Sequence, residues 1–332
     1  MRCHCLFARY EVLTGFGSGK EGSAMDVHSS LGGMRMKKNK TMIVCFLAPA
    51  VFTFVAVFLY PVLRTLIMSF FQVESVTAST SEWTFYGFNN YITMFNSSSW
   101  QTSMLNMLKI WLVGGAVVLA LSLLFAVILT SGIRFKNFFR AAIYLPNVIS
   151  AVALATMWIY YIFSKKYGLL NTVLDGLGLD KVNWLGSNMK FWSMLIAFMF
   201  GAVGYYMLIF LSGIERIPKD IYEAATIDGA GKLQQFTHIT MPLLKSVFKT
   251  NITFWSVNTI TFFVWSKMFS PVDTEATTIA PVVYLYDIVF GTKGVVHRDA
   301  GQGAAVGVTL CLCVVIIYFV FNKLIKDEDI EY

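Results

Sequence analysis

The chain is expected to fold as an all-α membrane protein with about six transmembrane helices and both termini on the cytoplasmic side. Three observations carry that expectation. Of its 332 residues, 56% are hydrophobic and only 14% charged, whereas soluble domains run to about 25% charged; the mean hydropathy is +0.63. The apolar residues gather into runs of about 20, the length that crosses a bilayer as a helix. The basic residues sit in alternate loops between those runs, which fixes a side. The net charge of +7 therefore belongs to juxtamembrane loops. It does not point to nucleic acid, because the lysines and arginines never gather on one face.

Residues 1–40 are polar, rich in Gly and Ser and without hydrophobic period, and are expected to form a disordered extension. Met34 and Met36 stand just before the basic run at 37–40, a position that suits a translation start. GFGSGK at 15–20 fails as a phosphate loop: its first glycine is one residue too close, Glu21 replaces the Ser or Thr, and no strand precedes it. Cys3, His4 and Cys5 supply two thiols and one imidazole but no fourth ligand, so no metal site is expected. Cys45, Cys311 and Cys313 lie in apolar runs as small packing residues.

The membrane domain is expected over 41–325, with 326–332 as a cytoplasmic tail. Its first run, 41–63, follows a basic flank as a signal peptide does, but it is long and no small-residue cleavage site follows. It reads as a retained helix, bent near Pro49 or ending near Pro61. Further runs cover 104–130, 141–163, 191–212, 247–268 and 304–321. Residues 278–290 are apolar but short and contain Asp287, so they read as an interfacial or re-entrant piece. Arg134, Lys136, Arg140, Arg216, Lys219, Lys232, Lys245, Lys323 and Lys326 all fall on the side of the first basic flank, which is cytoplasmic. Trp158, Tyr160 and Tyr161 read as an interfacial belt.

None of the six runs carries an Asp, Glu or His, where ion-coupled carriers place their coupling residues. Lys249 and Lys267 lie at the ends of the fifth run, where they can snorkel. No paired carboxylates, nucleophile elbow or His/Cys cluster indicates catalysis. In the fifth run Asn251, Trp255, Asn258 and Phe262 share one helical face by spacing. That face suits a hydroxyl-rich solute, with amides for hydrogen bonds and an indole for a sugar's apolar face. Helix–helix packing explains the same residues equally well.

The longest polar stretch between runs is IPKDIYEAATIDGAGKLQQFTHITMPLL at 217–244, within a loop over 213–245. Pro218 suits a helix start, a helix is predicted to follow through Ile227, and Gly229 and Gly231 are predicted to stop it. A second short helix is predicted from Lys232 towards His238, ending before Met241 and Pro242.

Glu223-Ala224-Ala225, three residues, Gly229, nine residues, then Ile239-Thr240-Met241-Pro242 resembles the EAA motif of binding-protein-dependent ABC importer permeases. Met241, where the family has Leu, is the one departure, and it conserves volume. Blocks YPVLRTLIMSF at 60–70, GFNNYITMF at 87–95, FFRAAIYLPNVIS at 138–150 and YGLLNTVLDGLGLDKVNWLG at 167–186 are similar to the carbohydrate-uptake branch, the last to the first of its two permeases. The resemblance covers about residues 34–326, except that Ser270-Pro271-Val272-Asp273 replaces the family's Gly-Gly-Pro. It implies a type I importer permease fold in a bacterial inner membrane. It also implies Tyr222, Glu223, Ala224, Ala225, Asp228, Gly229, Ile239 and Pro242 as the coupling site for a cytoplasmic ATPase dimer, and Asn251, Trp255, Asn258, Thr259 and Phe262 along the solute path. A second EAA-type permease, an extracytoplasmic solute-binding protein and the lipid membrane are the implied partners. The resemblance places ATP and Mg on the ATPase and leaves no cofactor to this chain. Alternatives to a sugar are a polyol phosphate or other solute, and more remotely a secondary transporter.

Overall fold

The computed structural model describes residues 40–291 and 298–325. The Cys3-His4-Cys5 and GFGSGK runs and the tail after 325 lie outside the described residues. The chain divides into two units, Met1–Val57 and Phe58–Tyr332. In the first, α1 (Lys40–Phe54) carries Pro49 internally and runs into a π turn at Val55–Leu59. The second begins at the end of that turn and continues as α2 (Tyr60–Met68), with Pro61 in its first turn.

Of the two expectations, a bend near Pro49 or an end near Pro61, the second is not met: α2 carries Pro61 in its first turn and runs on to Met68, and Val44–Met68 is one apolar helical stretch. A π turn just before Pro61 widens the spiral where the proline ring would otherwise meet the carbonyl four residues back. None of the most apolar window of this stretch is buried within the chain.

Strands β1 (Phe71–Gln72) and β2 (Thr84–Phe85) form a small antiparallel ribbon, Phe71 opposite Phe85 and Gln72 opposite Thr84. The short helix α3 (Asn89–Asn96) follows. Then α4 (Ser98–Lys109), a π turn at Ile110–Gly114 and α5 (Gly115–Thr130) make one 33-residue helix. Ser97 caps it by accepting the Trp100 N–H. Next come α6 (Lys136–Val148) and α7 (Ala151–Met157), the latter prolonged by a π turn at Trp158–Ile162, then α8 (Leu169–Gly176) and α9 (Lys190–Ile214). The loop after α9 holds α10 (Lys219–Ile227), α11 (Lys232–Gln235), a π turn at Phe236–Thr240 and α12 (Met241–Leu243). Helices α13 (Lys245–Ile260), α14 (Val264–Phe269), α15 (Pro281–Phe290) and α16 (Ala300–Leu324) complete the described chain.

Two of the six expected spans are broken. The run at 141–163 is the pair α6 and α7, which meet at 97°. Ile149 between them is extended, and Ser150 starts α7 by accepting the Ala153 N–H. The run at 247–268 is split after Ile260 into α13 and α14. Four helices are therefore long and apolar enough to cross a membrane, five with the bent pair, among the described residues. The short piece expected at 278–290 is α15, of 10 residues.

Helix α9 is the centre of the second unit. Of its most apolar window 67% is buried, against 33% for Ser98–Thr130 and 22% for α16. Ser122 on α5 donates to the Val203 carbonyl of α9 at 2.8 Å. Helix α6 comes so close that any side chain at Gly204 would overlap the Ile143 carbonyl. Lys136 pairs with Glu215 at 2.6 Å, tying the start of α6 to the end of α9.

Candidate functional sites: a polar hairpin between spans and a cleft at two helix breaks

Pro218 is the N-cap of α10 at φ −58°, ψ 137°, just outside the helix, where its missing N–H leaves no bond unmade. Glu223 and Ala224 are exposed on α10 and Ala225 is half-buried. The helix closes in a Schellman turn after Asp228. The Ala230 N–H donates to the Ala225 carbonyl at 2.8 Å and the Gly229 N–H to the Thr226 carbonyl at 3.1 Å. Ala225, the second alanine of the motif, thus supplies the carbonyl that ends its own helix. Gly229 has φ +82°, and nothing lies within 4 Å of where a Cβ would sit. Backbone conformation, not space, demands glycine here.

Gly231, expected to share that role, does the opposite. It is the N-cap of α11 at φ −69°, and its N–H donates to Gln234 Oε1 at 2.9 Å. The second helix also does not end before Met241 and Pro242. The Met241 N–H donates to the Phe236 carbonyl five residues back, and this π turn again makes room for a proline. Ile239 is half-buried in that turn and Pro242 is exposed.

Two side chains tie the hairpin's helices together. Gln235 is buried, and its Nε2 donates to Thr226 Oγ1 at 2.9 Å and to the Ala230 carbonyl at 3.1 Å. The Tyr222 hydroxyl bonds Thr240 Oγ1 at 2.9 Å. The hairpin then joins the core directly. Leu244 is fully buried among Met207, Phe210 and Leu211 of α9, and the Phe248 ring lies 4.8 Å from Phe210. Contacts thus run from the hairpin into both α9 and α13. Gln235 escaped the sequence reading because its partners are set only by the folded hairpin.

The second site is a cleft of about 180 Å³ lined by Pro146 and Asn147 of α6, Phe198 and Gly201 of α9, Asn258 of α13 and Trp265 of α14, among others. It lies where both broken spans break. Irregular backbone at membrane depth is tolerated where it lines such a cavity. None of the lining residues is charged. Asn147 Nδ2 donates to the Gly201 carbonyl at 3.3 Å and Asn258 Nδ2 to the Tyr206 hydroxyl at 3.4 Å.

The face read from sequence divides on this cleft. Asn258 is exposed to it. Asn251, Trp255, Thr259 and Phe262 are buried inside the chain. The Trp255 indole lies against Gly114 and Gly115, where any Cβ would overlap it, and its Nε1 donates to the Trp111 carbonyl at 2.9 Å. Trp111 Nε1 returns a bond to Ser256 Oγ at 2.8 Å. Trp255 is therefore a packing residue that locks α13 onto the long helix, and Phe198, Trp265 and Asn147 are the cleft residues the spacing did not find.

Two other residues differ from expectation. Lys267 does not snorkel: its Nζ lies 2.8 Å from Asp287 Oδ1 and donates to Thr274 Oγ1 at 3.0 Å, bracing α14 against α15. Tyr160 and Tyr161 are exposed as a belt requires, but Trp158 packs inward on Phe163 and Phe200.

Residues 119–327 match the family model described as "Binding-protein-dependent transport system inner membrane component". The chain is 30% identical to the arabinooligosaccharides transport system permease protein AraP of Bacillus subtilis (strain 168), over 84% of this chain and 87% of that one. It is 28% identical to the sulfoquinovosyl glycerol transport system permease protein SmoG of Agrobacterium fabrum (strain C58 / ATCC 33970), over 88% and 92%. Among solved structures, a bacterial ABC transporter involved in the import of the acidic polysaccharide alginate superposes with a TM-score of 0.74 at 21% identity, covering 88% of this chain and 97% of that one. At that identity the likeness is one of fold.

Proposed function

The chain belongs to the binding-protein-dependent transport system inner membrane component family, and from that premise we propose that it admits an uncharged sugar or short oligosaccharide to the cell as one of two permeases driven by a cytoplasmic ATPase. The observation that carries the coupling half is the hairpin: an exposed helix ended by Gly229 and rooted in α9 and α13 through Leu244 and Phe248. ATP and Mg belong to the ATPase. Closure of its dimer draws the two permeases' hairpins together. In this chain Tyr222, Glu223, Ala224, Ala225 and Asp228 form the contact, while Gly229, Ile239 and Pro242 hold its shape.

The cleft supports the solute half. Its amides offer hydrogen bonds and Phe198 and Trp265 offer ring faces, a combination that suits sugar hydroxyls and the apolar face of the ring. Its volume of about 180 Å³ falls below the roughly 300–1,000 Å³ of complete ligand pockets. The second permease supplies the remaining wall, and an extracytoplasmic binding protein delivers the solute, in keeping with the family's description. Relatives named for arabinooligosaccharides support a saccharide. The uncharged lining favours neutral sugars over a polyol phosphate.

Uptake of labelled saccharides by cells expressing the full set of components tests this reading. Neutral oligosaccharides are expected to enter saturably, and uronic-acid oligosaccharides and sugar phosphates are not. Asn258→Leu is expected to raise KM several-fold for the loss of about 1 kcal/mol of hydrogen bonding. Uptake confined to the anionic solutes would overturn the solute assignment and leave the coupling assignment standing.

A further inference from the structure

Helix α3 presents three different surfaces in three sectors. At 3.6 residues per turn Asn90 and Met94 fall together, and both are buried. Asn90 Nδ2 donates to the carbonyls of Ser69 and Phe71, both at 2.9 Å, and Met94 packs with Trp100 and Tyr284. Phe88, Ile92 and Phe95 share a second sector at spacings of four and three, and they are 68%, 55% and 54% exposed. Asn89, Thr93 and Asn96 repeat that spacing one residue later in a third sector, also exposed. The element, with Phe88 as its N-cap, thus buries an amide beside Met94 and exposes two phenylalanines and an isoleucine, more apolar surface than a helix facing water leaves open.

That exposure is accounted for if one exposed sector meets hydrocarbon and the other meets water. Helix α3 is fixed at the C-terminal end of α2. The Tyr91 hydroxyl donates to Ser69 Oγ at 2.8 Å, and Ser69 is the C-cap of α2. The Phe88 ring stands edge-on to Phe70 with centroids 5.4 Å apart. Helix α2 itself exposes Leu63, Leu66 and Ile67, so the apolar sector of α3 continues the apolar surface of the first span. The other side of this junction is also the end of a span: the Ala300 N–H at the start of α16 donates to the Val73 carbonyl at 2.7 Å. A docking site for a soluble partner surrounds its apolar anchors with a polar rim. Here the polar sector lies on one side only.

We propose that α3 is an interfacial helix of the outer leaflet, lying in the boundary between headgroups and acyl chains. Phe88, Ile92 and Phe95 enter the lipid, and Asn89, Thr93 and Asn96 face the water. The helix thereby sets the depth of the ribbon and of the junction between α2 and α16.

The test uses the full chain with its partner permease and ATPase in vesicles of phosphatidylethanolamine and phosphatidylglycerol. In a background whose five cysteines are replaced, nitroxide labels go on one at a time after Ile92→Cys, Phe95→Cys, Thr93→Cys and Asn96→Cys. Collision with oxygen, which partitions into lipid, is compared with collision with a water-soluble nickel chelate. The oxygen-to-nickel ratio is expected to be higher at 92 and 95 than at 93 and 96. Equal preference for nickel at all four positions would overturn the proposal. If removing the cysteines prevents assembly, benzoylphenylalanine in place of Ile92 in the natural chain gives a second reading. Photoadducts with lipid support the interface. Adducts only with the solute-binding protein or the partner permease contradict it.

Discussion

Gly229 ends α10 through its backbone conformation. Its φ of +82° is open to glycine, tolerable for asparagine and strained for a β-branched residue, by roughly 1–2 kcal/mol. Because the space a Cβ would occupy is empty to 4 Å, a substitution there acts through the turn alone. Gly229→Val is expected to lower uptake strongly while costing stability in detergent no more than that strain, and Gly229→Asn to restore most of the uptake. Equal transport by all three chains would remove the turn from the mechanism. This residue was legible in the sequence because its signal is local: Glu223-Ala224-Ala225, three residues, glycine. Gln235 was not legible. A glutamine in a polar loop looks solvated until folding brings Thr226 and the Ala230 carbonyl to its amide.

Among the helices, apolar runs announce where each lies but conceal where it breaks. Pro146 and Ser150 mark the break between α6 and α7, since proline weakens a helix and serine starts a new one. The break after Ile260 has no such mark: Thr261, Phe262 and Phe263 contain neither Pro nor Gly. The helix beyond it is held by Lys267 and Asp287, which brace α14 against α15, a contact invisible to local pattern. Helical spacing found the face of α13 but could not say which neighbour it meets. The answer is the long helix, through Trp255 and the glycine pair at 114 and 115. Trp255→Ala is expected to cost about 3–5 kcal/mol of stability, as other buried tryptophan truncations do. Trp255→Phe, which loses the bond to the Trp111 carbonyl but keeps much of the ring, is expected to cost about 1 kcal/mol. Thermal denaturation of the two variants in detergent checks this. A Trp255→Ala chain as stable as the wild type, with altered solute affinity, would return Trp255 to the solute path.

Taken entire, the protein joins a hairpin outside the membrane to a cleft within it. Helices α9 and α13 run between the two: Leu244 and Phe248 anchor them at the hairpin, and Phe198 and Asn258 stand at the cleft. The six long runs carry no Asp, Glu or His, the residues that ion-coupled carriers place there, and in the proposed function the energy enters through the hairpin. Proteoliposomes holding this chain, its partner permease and the ATPase, with the binding protein outside, test that claim most directly. Labelled sugar is expected to accumulate only when ATP is present on the ATPase side, and Glu223→Lys is expected to abolish accumulation while the complex still assembles. Accumulation driven by a proton or sodium gradient without ATP, or undiminished by Glu223→Lys, would contradict it.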